Sequence, residues 1–360
     1  MVAAVVVVAA VAVVEAMAGA VVVAVGAVIR VSGFDPYFYL QWHINSQCNL
    51  SCAHCYVQQR RAEPDETNLF LILAKYKDFL RQKGIKGRIQ FSGGEPFLSK
   101  SLMPLLLQAR KDGIPTRVLS NGTLITADVA SALQRTGCRT VQISIDGDAS
   151  VHNELRGSNN AFERATEGAI HLRNNNVPVT FMMTVSRHNH LSLKSVWDVS
   201  RQYADRFSFS RLVPIGVGSR MSDDVLTVKE TRRLFETFHE LKPDDTNPVS
   251  KPMRDPLWHP YFKRCNLHLL NGCSIGYNGV CIDSDGTVYP CRRLPIPLGN
   301  VMTDDLADIY NSDVLNQLRD RDMLKGKCRR CPMRWQCGGC RAIAYALTGD
   351  YLQQDPQCFR

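Results

Sequence analysis

The run FYLQWHINSQCNLSCAHCY, residues 38–56, joins a strand-like segment to a loop carrying Cys48, Cys52 and Cys55 on a C-x₃-C-x₂-C spacing. Aromatic and apolar residues dominate FYLQWHI, and the pattern then breaks into polar residues and thiols. Three thiols this close cannot all pair as disulfides, and three ligands leave a tetrahedral metal one short. What fills the fourth position separates a zinc protein from an electron carrier and from a radical enzyme. His54 lies inside the motif, but between two ligating cysteines it is expected to point away from their metal.

Downstream of this run, β-type segments alternate with amphipathic helical ones. NLFLILAKYKDFLRQK follows the cysteine loop; GRIQFSG leads to KSLMPLLLQARKDG, and PTRVLSNG to TADVASALQRTG. TVQISIDG precedes AFERATEGAIHLRNNN, PVTFMMTV precedes LSLKSVWDVSRQYA, and FSFSRLVP precedes KETRRLFETFHEL. Six βα units of roughly 25–30 residues predict an α/β fold with a parallel sheet and right-handed crossovers, either a barrel or a doubly wound sheet. Strands this apolar are expected to be buried on both faces. The unusual residues gather where strands end: the cysteine loop, GGEP at 93–96, SNGT at 120–123, SIDG at 144–147, SRHN at 186–189 and VPIGVGSR at 213–220. Parallel α/β folds bind ligands at that end, so one shared site is expected there.

The chain has 360 residues, 13 of them cysteine, and a formal charge of +9. An odd cysteine count in short clusters argues against a secreted disulfide framework and for metal ligation in a reducing compartment. The basic balance brings nucleic acid to mind, yet no long Lys/Arg run with interleaved aromatics is present, and no nucleic-acid partner is expected. Arg292, Arg293, Lys325, Lys327, Arg329, Arg330, Arg334 and Arg341 crowd the late cysteines, where clusters of thiolates would balance part of that charge. Cys138 and Cys281 read as buried structural thiols, and Met182 and Met183 as core.

Residues 1–31 are a low-complexity Val/Ala segment whose only charge between Val2 and Ile29 is Glu15. Two readings stand: a span anchoring the protein to the inner face of the membrane, with Arg30, Arg60 and Arg61 on the cytoplasmic side, or an extension without function. Either way the remainder is expected in the cytoplasm. Residues 38–242 form the alternating core and 243–264 a linker rich in Pro, Asp and Ser. Residues 265–360 form a cysteine-dense region with a hairpin at GVCIDSDGTVYPC and little hydrophobic core of its own.

The cysteine spacing, followed by the aromatic Tyr56, resembles the radical S-adenosylmethionine (SAM) superfamily, and the likeness runs through most of residues 40–360. The resemblance implies a partial (βα)₆ TIM-like barrel and a [4Fe–4S] cluster on Cys48, Cys52 and Cys55, with SAM on the open iron. Gly93, Gly94, Glu95 and Pro96 match the family's GGEP motif, where backbone and Glu95 hold the SAM amino group. Asn121, Ser144 and Asp146 match further SAM-pocket positions, Asp146 as a ribose partner, and VPIGVG around Pro214 and Gly216 resembles the segment near the adenine. HNELRG, residues 152–157, resembles a segment common in the same enzymes, its role left open.

The C-terminal region resembles the SPASM domain, which binds auxiliary [4Fe–4S] clusters. Cys273, Gly286 and Cys291 satisfy C-x₉₋₁₅-G-x₄-C, and Cys328, Cys331 and Cys337 satisfy C-x₂-C-x₅-C; Cys340 then follows after two residues where the family has three. The resemblance assigns Cys273, Cys291 and Cys340, with Cys265, to a nearer cluster, and Cys328, Cys331, Cys337 and Cys358 to an outer one. It implies three [4Fe–4S] clusters in all. Together these would add about −5 to the charge, leaving roughly +4. A zinc ribbon is the competing reading, against which the five-residue gap is short.

The implied chemistry is reductive cleavage of SAM to a 5′-deoxyadenosyl radical that takes hydrogen from an unactivated C–H, with electrons from a donor such as ferredoxin or flavodoxin. PYFYLQWHI and the CGGCRA tail look most like enzymes that mature ribosomally made peptides by thioether or carbon–carbon cross-linking or by epimerisation. This is the leading expectation for substrate. With about 38 residues before the first strand, such an enzyme would use a separate leader-peptide-binding protein or direct recognition. The alternative is a tetrapyrrole-modifying enzyme of the haem pathway, whose tails share CGGCRA and GDYL…DP…C. A sulfatase-modifying enzyme is a third reading, and a non-catalytic iron–sulfur electron carrier stands outside the enzyme class.

Overall fold

The computed structural model describes residues 37–57, 64–241, 249–251, 255–258 and 272–360. The apolar segment 1–31, Cys265 and most of the expected linker lie outside these residues. Among the described residues no helix is long and apolar enough to cross a membrane.

Six parallel strands form a continuous sheet: β1 Tyr37–His43, β2 Lys86–Ser92, β3 Thr116–Ser120, β4 Val141–Ser144, β5 Val179–Val185 and β6 Arg206–Arg211. Each pairs with its sequence neighbour, as consecutive βα units dictate. The connecting helices are α1 Glu66–Lys83, α2 Leu102–Lys111, α3 Ala127–Thr136, α4 Ala149–Arg156, α5 Ala161–Asn174 and α6 Leu193–Tyr203, with α7 Val228–Glu240 after β6. Their boundaries follow capping chemistry. Asp65, Thr126, Asp148 and Thr227 accept backbone N–H bonds at the starts of α1, α3, α4 and α7. Helix α4 is an element that the alternation alone does not call for; it is made of the HNELRG segment.

The strands are not buried on both faces. In β4, Val141 and Ile143 are fully buried, while Gln142 and Ser144 line an open cavity. In β5, Met183 is buried but Met182 lines that cavity, which corrects its assignment to the core. The inner face carries polar and small side chains because it encloses a site rather than packed side chains.

The sheet does not end with the six units. β7 Gly279–Ile282 pairs parallel to β1, setting Tyr39 opposite Gly279 and Trp42 opposite Ile282. β8 Thr287–Tyr289 and β9 Gly299–Asn300 continue it antiparallel, around the Asp285–Gly286 turn where Gly286 has φ +85°. Val280, Ile282, Val288 and Leu294 belong to the same buried cluster as Leu40, Trp42 and Phe91. The cysteine-dense region thus shares the barrel's core instead of standing apart with little of its own.

A second tie runs through Arg211, fully buried at the end of β6. Its guanidinium donates to Asp255 at 2.8 and 3.1 Å, to Asp355 at 2.9 and 3.1 Å, and to Gln357 at 2.7 Å. Asp355 in turn accepts the Cys340 N–H at 2.9 Å. The last strand of the barrel and the C-terminal tail are therefore one hydrogen-bonded unit.

Candidate active site

At the C-terminal ends of the strands lies a cavity of about 330 Å³. Cys48, Cys52 and Cys55 all line it, and all three are half-buried. Their loop is fastened mainly through its backbone: the Ala53 N–H donates to the Leu155 carbonyl at 2.9 Å, and the Gly218 N–H to the Cys55 carbonyl at 2.9 Å. Asn121 Nδ2 lies 3.9 Å from Cys48 Sγ and Arg156 Nη1 3.7 Å from Cys52 Sγ, within reach as weak donors to thiolate sulfur. Among the described residues no three His, Cys, Asp or Glu side chains converge on a single ion. The three thiols surround a space instead, and that donor set suits an iron–sulfur cluster better than one zinc ion.

Gly93, Gly94, Asn121, Ser144 and Tyr56 also line this cavity. A side chain at Gly93 is excluded twice: its φ is +152°, and a Cβ would stand 2.3 Å from the Asn45 carbonyl oxygen. Gly216 has φ +60° and a Cβ there would meet the Tyr56 carbonyl at 2.3 Å. These glycines let the GGEP and VPIGVG loops close on the cysteine loop, leaving a cradle open to a nucleotide-sized group.

Other expected site residues sit differently. Pro214 is buried, and its neighbour Val213 lines the cavity in its place. Glu95 is wholly buried and does not reach the cavity. Its carboxylate accepts from the Ser120 hydroxyl at 2.8 Å, the Asn121 N–H at 2.8 Å and the Phe97 N–H at 3.2 Å, bracing the turn after β3. Pro96 is buried beside it, opening a single 3₁₀ turn. Asp146, expected at the ribose, is also fully buried. Its Oδ1 accepts the Thr184 N–H at 2.9 Å, and its Oδ2 faces Arg156 Nη2 at 2.5 Å and His54 Nε2 at 3.3 Å. Burial alone would raise its pKa, but Arg156 and then His54 outweigh this and hold it well below the usual carboxylate range. Asp146 thus anchors the cysteine loop through His54 and orients Arg156 toward Cys52. His152 completes the group: burial, then Arg156, lowers it to about 3, so its neutral Nδ1 accepts the Asp146 N–H at 3.0 Å. The HNELRG segment signalled this network, although its role was not readable.

Burial lifts the Glu95 carboxyl from 4.5 to about 7, against the hydrogen bonds from Asn121, Ser120 and Phe97. A carboxyl with a folded-state pKa above its unfolded value weakens folding as it ionises. The penalty is absent below the unfolded value, grows as pH rises, and is complete above the folded value. Glu95→Gln is expected to lower stability overall, because an amide NH₂ would face an N–H donor, yet to flatten the decline in melting temperature between roughly pH 5 and pH 8. Thermal melts across that range test this; parallel curves for the two proteins contradict it.

Behind the first cavity lies a second of about 240 Å³, lined by His43, Asp283, Tyr289, Cys281 and Cys291 among others. Ser46, Tyr56, Val57 and Arg292 line both, forming a common wall. Tyr56 Oη lies 3.2 Å from His43 Nε2, and burial followed by Arg292 lowers His43 to about 3. Cys281 is fully buried, and burial raises its pKa, with Cys291 adding to the effect. Cys138 is buried with its thiol donating to the Thr140 carbonyl, and burial lifts it to about 11.

The late cysteines fall into neighbourhoods. Burial raises Cys358, and Cys328 and Cys331 contribute to the shift; burial likewise raises Cys337, with Cys358 and Cys328 among the contributors. Burial pushes Cys340 up, Arg293 and then Arg211 pull it back, and Cys273 adds to the rise. Of the basic residues crowding these thiols, Arg341 is fully buried and Arg329 and Arg330 are exposed, so only some offer internal compensation.

A family model described as the Radical SAM superfamily matches residues 42–193, and one described as an iron–sulfur cluster-binding domain, SPASM, matches 273–332. An AdoMet-dependent heme synthase of Methanosarcina barkeri is 30% identical over 338 residues, covering 89% of this chain and 95% of that protein. The chain belongs to the radical SAM superfamily. It is a radical SAM enzyme with a C-terminal SPASM domain, which implies SAM and [4Fe–4S] clusters as cofactors. An Fe-coproporphyrin III synthase of the same organism is 26% identical over 348 residues, covering 88% of this chain and 86% of that protein. Among solved structures, Streptococcus suis SuiB bound to its precursor peptide SuiA superposes with a TM-score of 0.70 at 19% identity, covering 89% of this chain and 76% of that one. That likeness is one of fold. The expectation of peptide maturation is corrected here, because these two curated relatives, similar along most of the chain, are a heme synthase and an Fe-coproporphyrin III synthase.

Proposed function

We propose that this radical SAM enzyme acts on a haem-type tetrapyrrole. The observation that carries the reading is likeness to a heme synthase along 89% of the chain, barrel and SPASM region together. Cys48, Cys52 and Cys55 hold the SAM-binding cluster. Gly93 and Gly94 leave room for the nucleotide, Asn121 and Ser144 offer it polar contacts, and Gly216, which lines the second cavity, lets its loop close on the Tyr56 carbonyl. Three clusters are proposed in all, the nearer auxiliary one on Cys273, Cys291 and Cys340 and the outer one on Cys328, Cys331, Cys337 and Cys358. Cys265, outside the described residues, is proposed as the nearer cluster's remaining ligand. The radical SAM core is proposed to span 38–242 and the auxiliary domain 265–360.

When bound, the cofactors supply an electron and a 5′-deoxyadenosyl radical able to take hydrogen from an unactivated C–H. The chain's own residues provide the enclosure. Leu119, Met182, Leu212 and Val213 exclude water from the cavity, while Gln142 and Thr184 offer it hydrogen bonds. Asp146, with His54 and Arg156, keeps the cysteine loop in register.

The experiment is anaerobic reconstitution with iron and sulfide, then assay of 5′-deoxyadenosine from SAM under dithionite, with iron coproporphyrin III added or omitted. Formation of the nucleoside together with a change in porphyrin mass is expected. An unchanged porphyrin, with SAM intact, overturns the reading. A small electron-transfer protein such as ferredoxin or flavodoxin is the proposed donor in the cell.

A further inference from the structure

The dipeptide after Cys291 links the first and last strands of the six βα units. The Arg292 N–H donates to Gln41 Oε1 on β1 at 3.4 Å, and its guanidinium carbon lies 6.0 Å from the centre of the Tyr56 ring. Arg293 Nη1 donates to the Arg211 carbonyl at the end of β6, 3.3 Å away. Both line the first cavity, and Arg292 also stands on the wall it shares with the second. Among the described residues neither guanidinium has a carboxylate within ion-pair distance, and Arg293 Nε is buried with no hydrogen-bond partner. Arg156, in the same cavity, differs in having a carboxylate, Asp146, 2.5 Å from its Nη2, although its Nε too is buried without a hydrogen-bond partner.

Both arginines are half-buried, and a guanidinium facing a cavity without a counter-charge is free to take a carboxylate, which its planar fork fits through paired hydrogen bonds. We infer that Arg292 and Arg293 are substrate-recognition residues that hold peripheral carboxylates of the substrate. The inference rests on the tetrapyrrole reading, since a coproporphyrin ring carries propionate groups on its rim. A flat apolar macrocycle presented edge-on to this dipeptide would meet two cations, and its body would face the apolar lining. The competing role is charge balance for the nearer auxiliary cluster, because Arg293 also acts on Cys340.

The two roles separate in binding. Full-length, anaerobically reconstituted protein would be titrated by Soret absorbance with iron coproporphyrin III and with its tetramethyl ester, which keeps the ring and removes the carboxylates. The wild type is expected to prefer the acid. Arg292→Gln and Arg293→Gln are each expected to weaken acid binding roughly ten- to hundred-fold while changing ester binding little, so that the acid-to-ester ratio collapses. Arg→Lys at either position is expected to recover part of the ratio, and it stands in should a Gln variant lose iron. Lys229→Gln, on the exposed surface of α7, is expected to leave the ratio as it was. A wild-type ratio in the arginine variants, or an equal loss in Lys229→Gln, overturns the inference and leaves the tetrapyrrole reading standing. Wild-type protein that binds neither porphyrin overturns both.

Discussion

Replacing Cys48, Cys52 and Cys55 together by alanine is expected to remove about four irons per chain and to abolish 5′-deoxyadenosine formation altogether. No neighbouring side chain can take over. His54, inside the loop, has its Nε2 held 3.3 Å from Asp146, and Cys138 is buried with its thiol on the Thr140 carbonyl. The loop itself should survive the change, because the bonds from Ala53 to Leu155 and from Gly218 to Cys55 are made by main-chain groups. Loss of iron without loss of the fold is therefore the expected pattern, read by iron analysis beside far-ultraviolet circular dichroism. Replacing Cys328 and Cys331 should also cost about four irons but leave some SAM cleavage, since those thiols lie in the C-terminal region. Zinc in place of iron at the first site, or nucleoside still formed by the triple variant, would contradict the assignment.

The parallel sheet and the location of the site were legible because both are written locally. Short β-type runs alternate with amphipathic helical stretches, and the glycines and thiols fall where strands end. Cys48, Cys52, Cys55, Gly93, Gly94, Asn121 and Ser144 all line the cavity at the strand ends. The remainder depends on pairs far apart in sequence. Nothing near Gly279 announces that it will lie beside Tyr39, since a free strand edge accepts any compatible partner. Asp146 and Glu95 carry motif positions, but whether a carboxylate faces the cavity or turns inward depends on Arg156, Ser120 and Asn121, which only folding brings together.

Substrate class was the hardest level to read, and the reason is physical. SuiB shares this fold at 19% identity, so the barrel and the auxiliary region do not discriminate one radical SAM chemistry from another. On the proposed reading, discrimination falls to a few side chains that line the cavity. Arg292 and Arg293 look in the sequence like two more basic residues beside thiols. Their placement opposite Tyr56 and Arg211, without carboxylate partners, is visible only in three dimensions.

Arg211→Met is expected to be among the most destabilising single substitutions in the chain. The guanidinium is fully buried and makes five hydrogen bonds to Asp255, Asp355 and Gln357, so its removal strands two carboxylates. Breaking one side of such a buried pair costs about 3–5 kcal/mol, or roughly 6–20 °C in melting temperature for a domain of this class. The sign with pH is fixed by Asp355. Burial alone would raise its pKa, but Arg211 lowers it, so the stabilisation is present above the unfolded carboxylate value and is lost as pH falls through the folded one. The substitution should therefore hurt most near neutrality and least in acid. Adding Asp255→Asn and Asp355→Asn to Arg211→Met should recover part of the loss, since the stranded charges go with it. If Arg211 served only as packing, the asparagines would deepen the loss instead. Iron should follow stability here: Asp355 accepts the Cys340 N–H, and its own carbonyl accepts the Cys358 N–H at 3.1 Å, so the ligands of both proposed auxiliary clusters hang on the residue that Arg211 holds.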